Sequence, residues 1–367
     1  MAIESRRKKV FMILFSFLVF TWVKLGVIQQ VDRSNLIVDV SETKPVSSFF
    51  NRTLEGPPGV ILYIKGGIGN SMFQYACSYA LAREKGKRLY NFITNSTLTS
   101  NRKFSSGARE FALDKFNVPL DNWIDKSTKI NASQVTYVSD EQLYFGNYSD
   151  APFLQLTPTA YCQSPKYWEN YKEDIKSMFQ LKLDEVNVTP KISNFVEKIE
   201  ATESVAVHVR RGDFVPLNSI FDIPISYQRR AIHKIWRILK TRGTQSPITF
   251  FIFSDDIQYA REKLDDLARF YSANFIYVSD SNNTSIQDFY LMMKCKHFII
   301  PNSTFSWWAA FLSSSSAEKI VIASTFNPKF WELWKADKRE QKFFMMLHGQ
   351  KYHPKEWIVL NPFIGEV

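Results

Sequence analysis

The densest group of reactive side chains in the sequence is His208-Val209-Arg210-Arg211-Gly212-Asp213, which sets an imidazole, two guanidiniums and a carboxylate side by side. Such charge is costly to bury unpaired, so the segment needs internal ion pairs or a charged ligand. A guanidinium is a planar fork that grips phosphate in two places, which suits a diphosphate leaving group. Along an extended strand His208 and Arg210 share a face while Arg211 points elsewhere, so Arg210 is favoured over Arg211 as the ligand contact. The plainer alternative is a structural Arg–Asp pair with His208 hydrogen-bonded in the core.

Two polar turns are further candidates. In Gly66-Gly67-Ile68-Gly69-Asn70-Ser71 the missing side chains let backbone approach a ligand, and a following helix would offer free N–H groups to an anion. As a dinucleotide fingerprint it is defective, because the third glycine of G-x-G-x-x-G falls on Met72, and the G-K-[ST] of a P-loop is absent. A tight turn with no ligand explains it equally well. In Pro301-Asn302-Ser303-Thr304-Phe305-Ser306-Trp307-Trp308 the hydroxyls and amides could hold phosphate or simply cap a helix. Ser254-Asp255-Asp256 reads best as a helix cap, and Thr284-x-x-Gln287 and Ser285-x-x-Asp288 have capping-box spacing, which would make Asp288 a local residue. No D-x-D occurs, the histidines at 208, 233, 297, 348 and 353 include only the loose pair His348/His353, and G-x-S-x-G is missing. A dedicated metal site and a serine hydrolase are therefore not expected.

The elements that must position these residues alternate. A buried-type strand at 60–64 leads through the glycine-rich loop into an amphipathic helix at 71–85. Residues 86–195 are less regular, with a strand-like Thr136-Tyr137-Val138 and a helix predicted over Tyr167–Phe179, and their topology stays open. After residue 200 come strand 204–210, helix 225–240, strand 248–253, helix 256–269, strand 274–278, helix 285–295, strand 297–300, helix 305–313 and strand 319–323. This is the pattern of a parallel, doubly wound α/β sheet, whose ligands sit at the carboxyl ends of strands. The candidate segments follow strands in this scheme.

Composition agrees with a folded protein. The 367 residues are 45% hydrophobic, 15% aromatic and 22% charged, enough for one large core or two ordinary ones. With only 13 Gly and 15 Pro, disorder and collagen-like repetition are excluded. Of the net charge of +10, the first 24 residues carry +4 through Arg6, Arg7, Lys8, Lys9 and Lys24 against Glu4. The remaining +6 suits an anionic ligand without calling for nucleic acid. Cys77, Cys162 and Cys295 allow at most one internal disulfide and have no metal-binding spacing.

The start of the chain reads as a membrane anchor. Residues 10–28 are mostly apolar and as a helix would span roughly 28 Å, close to the hydrocarbon thickness. A cleaved signal peptide is the alternative, but no small-x-small site follows. The basic flank keeps the tail 1–9 cytosolic and sends the rest to the lumen, with residues 29–57 as a stem. N-x-[ST] sequons begin at Asn51, Asn95, Asn131, Asn147, Asn187, Asn282, Asn283 and Asn302 and point to the same compartment. All but Asn302, which lies between two apolar segments, are candidates for glycan.

Three blocks, in this order, closely resemble the alpha-1,2-fucosyltransferases: Gly66 to Ala76 (GGIGNSMFQYA), His208 to Asp213 (HVRRGD), and Asp288 to Trp308 (DFYLMMKCKHFIIPNSTFSWW). The similarity runs from residue 60 to about 325, and the first and third blocks are the specific ones. Ser71 stands where Gln is usual and Pro301 where Ala is common, and neither reports the acceptor. The resemblance implies a type II Golgi membrane enzyme of GT-B architecture, two Rossmann-like domains facing a cleft. These would be an acceptor-side α/β domain at 58–195 and a GDP-fucose-binding domain at 196–367. It implies GDP-fucose as co-substrate, a beta-galactoside acceptor, inversion, and no metal or other cofactor. It places Arg210 on the beta-phosphate, His208 and Arg211 near the nucleotide, and Asp213 ordering the arginine loop as part of the catalytic set. Asp288 would lie by the guanine, Asn302, Ser303, Thr304 and Ser306 along the diphosphate, and Gly66, Gly67, Gly69 and Asn70 would form the glycine-rich loop. Asp213 and Asp222 are the candidates for a base. The competing readings are an inactive membrane lectin or GDP-sugar-binding module and, remotely, a nucleic-acid binder.

Overall fold

The computed structural model describes residues 52–53, 56–64, 66–92, 112–124, 128–157, 160–212, 215, 222–280, 282–314, 318–326 and 352–364. The strands of the first half are β1 (Arg52–Thr53), β2 (Gly59–Tyr63), β3 (Arg88–Phe92), β4 (Trp123–Ile124), β5 (Thr128–Lys129), β6 (Val135–Val138) and β7 (Phe153–Leu156). Those of the second are β8 (Glu203–Val209), β9 (Ile248–Ser254), β10 (Asn274–Tyr277), β11 (His297–Ile300), β12 (Val321–Ser324) and β13 (Ile358–Leu360). They build a five-stranded sheet in the order β4-β3-β2-β7-β6, a six-stranded sheet in the order β10-β9-β8-β11-β12-β13, and a small β1-β5 pair. Every one of these pairings is parallel. Parallel strands are covered on both faces, and β9 accordingly reads Ile-Thr-Phe-Phe-Ile-Phe-Ser with every residue buried.

The helices are α1 (Ile68–Glu84), α2 (Asp140–Phe145), α3 (Lys172–Met178), α4 (Leu183–Val186), α5 (Pro190–Glu200), α6 (Ile225–Thr241), α7 (Ile257–Tyr271), α8 (Ser285–Lys294) and α9 (Thr304–Leu312). After residue 200 the predicted elements appear with ends shifted by one or two residues. Two differences arise earlier. The helix expected from Ser71 begins at Ile68, because Gly67 takes the extended N-cap conformation and its carbonyl accepts both the N–H (3.0 Å) and the hydroxyl (3.2 Å) of Ser71. The helix expected over Tyr167–Phe179 is two 3-10 turns followed by α3, interrupted at Trp168, whose ring is stacked on Trp308 at 5.3 Å.

In each sheet the strand order reverses once. The chain runs outward through β8, β9 and β10, then returns to lay β11, β12 and β13 on the other side of β8. The reversal therefore falls between β8 and β11, where the diverging connections leave a crevice beyond the strand ends. In the five-stranded sheet it falls between β2 and β7. Arg210 and the Asn302 turn emerge from the first switch point, and the Gly66–Asn70 turn from the second.

An aromatic core joins the two halves. Phe73 of α1 packs on Trp307 and Trp308 of α9 with ring centroids 4.7 and 4.9 Å apart, and Phe179 meets Trp308 edge-on at 5.0 Å. Both indoles of α9 are hydrogen-bonded: Trp308 Nε1 donates to the Gly69 carbonyl at 3.0 Å and Trp307 Nε1 to that of Tyr352 at 3.1 Å. The close approach depends on Gly69, where an added Cβ would stand 2.4 Å from the Thr304 carbonyl carbon and 2.7 Å from the Phe305 nitrogen.

The expected anchor 10–28, tail 1–9 and most of the stem 29–57 lie outside the described residues. Among the described residues no helix is long and apolar enough to cross a membrane. Gly69→Ala is expected to force α9 off α1 and to cost about 1–3 kcal/mol, as other overpacked contacts between rigid elements do. Denaturant unfolding with an unchanged m-value checks it.

Candidate functional site

Two helix N-termini meet at the Gly69–Thr304 contact. Neither α1 nor α9 has a side chain capping its first turn, and neither carries an acidic residue there. Their first N–H groups and the positive ends of their dipoles converge without a local counter-charge from either helix. Asn70 Oδ1 accepts from Thr304 Oγ1 at 3.0 Å and from Gln163 Nε2 at 3.1 Å, so it ties the glycine-rich turn to the Asn302 turn and to the segment after β7. Gly66 takes φ 87, and Gly67 has open space where a side chain would be.

Beside this point β8 ends. His208 is buried, and its Nδ1 lies 2.9 Å from Ser306 Oγ. The Ser306 hydroxyl also reaches the Ser303 carbonyl at 3.3 Å; when its hydrogen is donated there, Nδ1–H is the donor to its oxygen and Nε2 is left an acceptor. Burial and the Arg210 guanidinium push the His208 pKa down to about 3, so the ring is neutral at pH 7. Ser306 is fully buried behind His208, whereas Thr304 is partly exposed, and Asn302 and Ser303 lie buried at the floor of the turn. Of the sequence-nominated serines, Ser306 positions the imidazole and is shielded from the crevice.

Arg210 is ion-paired with Asp255, which follows β9. The other oxygen of Asp255 accepts the Arg211 N–H at 2.8 Å, and Gly212 fits against it with no room for a Cβ, which would be 2.4 Å from Oδ2. The Arg-Arg-Gly turn is thus folded around one carboxylate. Arg211 points toward the neighbouring helix: its guanidinium lies over the Tyr259 ring at 3.6 Å, bonds Asp256 at 3.3 Å and stands 3.9 Å from Asp222. This arrangement makes Arg211 a brace against α7. Asp256 does cap α7 through the Tyr259 N–H, as the sequence predicts, while Asp255 does something the capping reading missed. The signal available was the doublet itself, since one helix needs one cap.

Asp288 is largely buried and accepts from Ser279 Oγ at 2.5 Å and Asn283 Nδ2 at 2.9 Å; burial pushes its carboxyl up. The Thr284/Gln287 pair forms the capping box, so Asp288 is not the box residue of α8. Asp213 lies outside the described residues. Asp222, half-buried, has its carboxyl raised by desolvation. Tyr227 of α6, not singled out in the sequence, brings its hydroxyl within 2.7 Å of the Ile300 carbonyl and 3.1 Å of that of Ile322, bracing the ends of β11 and β12. Among the described residues no three His, Cys, Asp or Glu side chains group as metal ligands would.

A crevice formed by neutral His208, Arg210 and two uncapped helix ends favours an anion. Residues 59–345, most of the chain, match the family described as Glycosyl transferase family 11. The chain belongs to that family. Similar relatives are the O-antigen biosynthesis glycosyltransferase WbnK of Escherichia coli, 28% identical over 73% of this chain and 93% of the relative, and an alpha-1,2-colitosyltransferase of the same organism, 29% identical over 72% and 91%. The bovine galactoside 2-alpha-L-fucosyltransferase SEC1 is 25% identical over 82% and 74%. The resemblance to the alpha-1,2-fucosyltransferases read from the three motifs thus agrees with the family match.

The glycan candidates of this family 11 glycosyltransferase divide by environment. Asn131, Asn147, Asn187 and Asn282 are exposed, and Asn51 and Asn95 lie outside the described residues. Asn283 is different: its Nδ2 donates to the Val278 carbonyl at 3.2 Å as well as to Asp288, and a glycan, which replaces one of the two amide hydrogens, would break at least one of these bonds. The geometry tells against that sequon. Asn302 is buried.

The state of His208 gives a pH expectation. Its folded pKa lies below the ordinary value of 6.5, so its contribution to stability is complete above pH 6.5 and is lost as pH falls through 6.5 toward about 3. His297 and His353, also lowered by burial, act in the same sense, while the raised carboxyls of Asp140 and Asp288 act oppositely, adding stability as pH falls. Urea midpoints should fall between pH 6.5 and 5, by up to about 1.4 kcal/mol per pH unit for each such histidine. His208→Asn should reduce that slope by about one proton.

Proposed function

We propose that the protein transfers L-fucose from GDP-beta-L-fucose to the 2-hydroxyl of a beta-galactoside, with inversion and without a metal. It works as a GT-B enzyme with an acceptor-side domain at 58–195 and a donor domain at 196–367, anchored by residues 10–28 in the Golgi membrane with its catalytic part in the lumen. The observation that carries this reading is the convergence of the α1 and α9 N-termini beside Arg210 at the β8/β11 switch point. Departure of GDP puts negative charge on the beta-phosphate as the bond to fucose breaks. Preorganised N–H groups and a guanidinium held by Asp255 stabilise that charge without reorganising.

The remaining roles follow from chemistry. His208, neutral and fixed by Ser306, offers Nε2 as an acceptor toward the nucleotide. A carboxylate has about four lone-pair sites and Ser279 and Asn283 take two, so Asp288 retains capacity for the amino and imino hydrogens of guanine. The acceptor hydroxyl needs a base, and Asp222, whose raised pKa increases its proton affinity, is the described candidate beside Asp213.

A second reading is favoured by one likeness. The colitosyltransferase is as similar as any relative cited above, which supports a different deoxyhexose on the same kind of donor. The test is turnover of GDP-fucose by the full chain in detergent against a panel of beta-galactosides, with EDTA present. Chelator-insensitive transfer to the galactose 2-hydroxyl is expected. Arg210→Ala should lower kcat by about 10²–10³-fold with an unchanged unfolding transition. Near-wild-type turnover in that variant would remove Arg210 from the mechanism, and GDP-fucose binding without transfer to any acceptor would favour a binding module.

A further inference from the structure

Cys77 and Cys162 are both 0% exposed and share one buried cluster with Val60, Leu81, Val138 and Leu154. Both are thiols in the structure, and they lie close enough for each to perturb the ionisation of the other. Each is held in position by something other than its sulfur. Cys77 lies on the buried face of α1. Cys162 takes φ 52, a left-handed conformation uncommon for a residue with a side chain, and its N–H donates to Asp140 Oδ1 at 3.0 Å while that of Tyr161 donates to Oδ2 at 3.0 Å. The Tyr167 hydroxyl closes the turn by donating to the Asp140 carbonyl at 3.1 Å. The turn thereby fixes Cys162 in the buried cluster that also holds Cys77. Cys295 belongs to a different cluster, where its thiol bonds the Leu291 carbonyl at 3.7 Å.

The surroundings exclude a redox sensor in the folded protein. Burial, with the nearby Asp140 carboxyl adding to it, raises both thiols above their ordinary range, the opposite of the electropositive, exposed setting of a reactive thiolate. Any oxidation must happen before the α1 face closes.

We propose that Cys77 and Cys162 are the one internal disulfide of the chain, formed during folding and sealed when α1 packs. The thiolate of one cysteine attacks an external disulfide, that of an oxidised dithiol oxidoreductase or of glutathione, giving a mixed disulfide and releasing one donor thiol. The second protein thiolate attacks the protein sulfur of the mixed disulfide, forming the Cys77–Cys162 bond and releasing the second donor thiol. The two cysteines lose two electrons and two protons, and both pass to the donor. The proposal rests on the lumenal reading for its oxidant and is independent of the transferase activity.

The test uses the full-length chain made in a secretory host and lysed into N-ethylmaleimide, then unfolded in maleimide and weighed. Only glycan-bearing molecules, which have met the oxidising lumen, are counted. One maleimide, on Cys295, and a linked peptide pair containing Cys77 and Cys162 are expected, rising to three maleimides if the unfolded chain is first reduced. Cys295→Ser should leave the linked pair and take up none. Three maleimides on the unreduced glycan-bearing chain, or a link through Cys295, would overturn the pairing. The same chain refolded in a glutathione buffer receives its oxidant outside the cell. A product lacking glycan therefore counts against the lumenal reading, and the refolded chain then decides the pairing by the same count.

Discussion

Gly69 lacks a side chain, and the first turn of α9 occupies the space a Cβ would need, 2.4 Å from the Thr304 carbonyl carbon. This backbone-to-backbone contact sets the distance between the helix leaving the five-stranded sheet and the helix leaving the β11 end of the six-stranded one. The aromatic core follows from it. Phe73 reaches Trp307 and Trp308 because α1 and α9 are close enough for rings to meet at under 5 Å, and Trp308 can return a hydrogen bond to the Gly69 carbonyl. An interface of this kind, aromatic and continuous, resembles a domain core and opposes the relative motion that polar interdomain surfaces permit.

The electrostatic consequence is as direct as the steric one. Bringing two uncapped helix N-termini together concentrates partial positive charge, and Arg210 adds a full one. A protein built only for stability would place a carboxylate there. The carboxylate present, Asp255, instead lies behind the arginine turn, where it orders Arg210, the Arg211 amide and Gly212. His208 is kept neutral by burial and by Arg210, so it adds no further charge. The arrangement favours an anion at the convergence of the two helix ends.

How much of this was legible in the sequence depends on whether the signal was local. After residue 200 each strand is a short apolar run and each helix has its own cap or period, so the elements and the doubly wound pattern could be read directly. The three motif blocks identified the neighbourhood of the site for the same reason. Residues 86–195 gave less because β4 has two residues and Trp168, held by Trp308 from the far half of the chain, breaks the expected helix. The role of Asp255 was hidden because a strand-end carboxylate is as good a cap as an arginine partner, and only the fold decides which of the two adjacent aspartates does which. Gly69 reads in the sequence as part of a loop that either approaches a ligand or simply turns, since a glycine needed for helix packing and one needed for phosphate look alike in one dimension. Ser306 was placed along the ligand, and the depth at which it sits behind His208 has no sequence signature.

The central claim is that an anion is bound where α1, α9 and Arg210 converge. A crystal structure of the complex with GDP tests it most directly. The account predicts the diphosphate beyond the ends of β8 and β11, within hydrogen-bond reach of Arg210 and of first-turn N–H groups of α9. A diphosphate bound elsewhere, out of reach of Arg210, would contradict it.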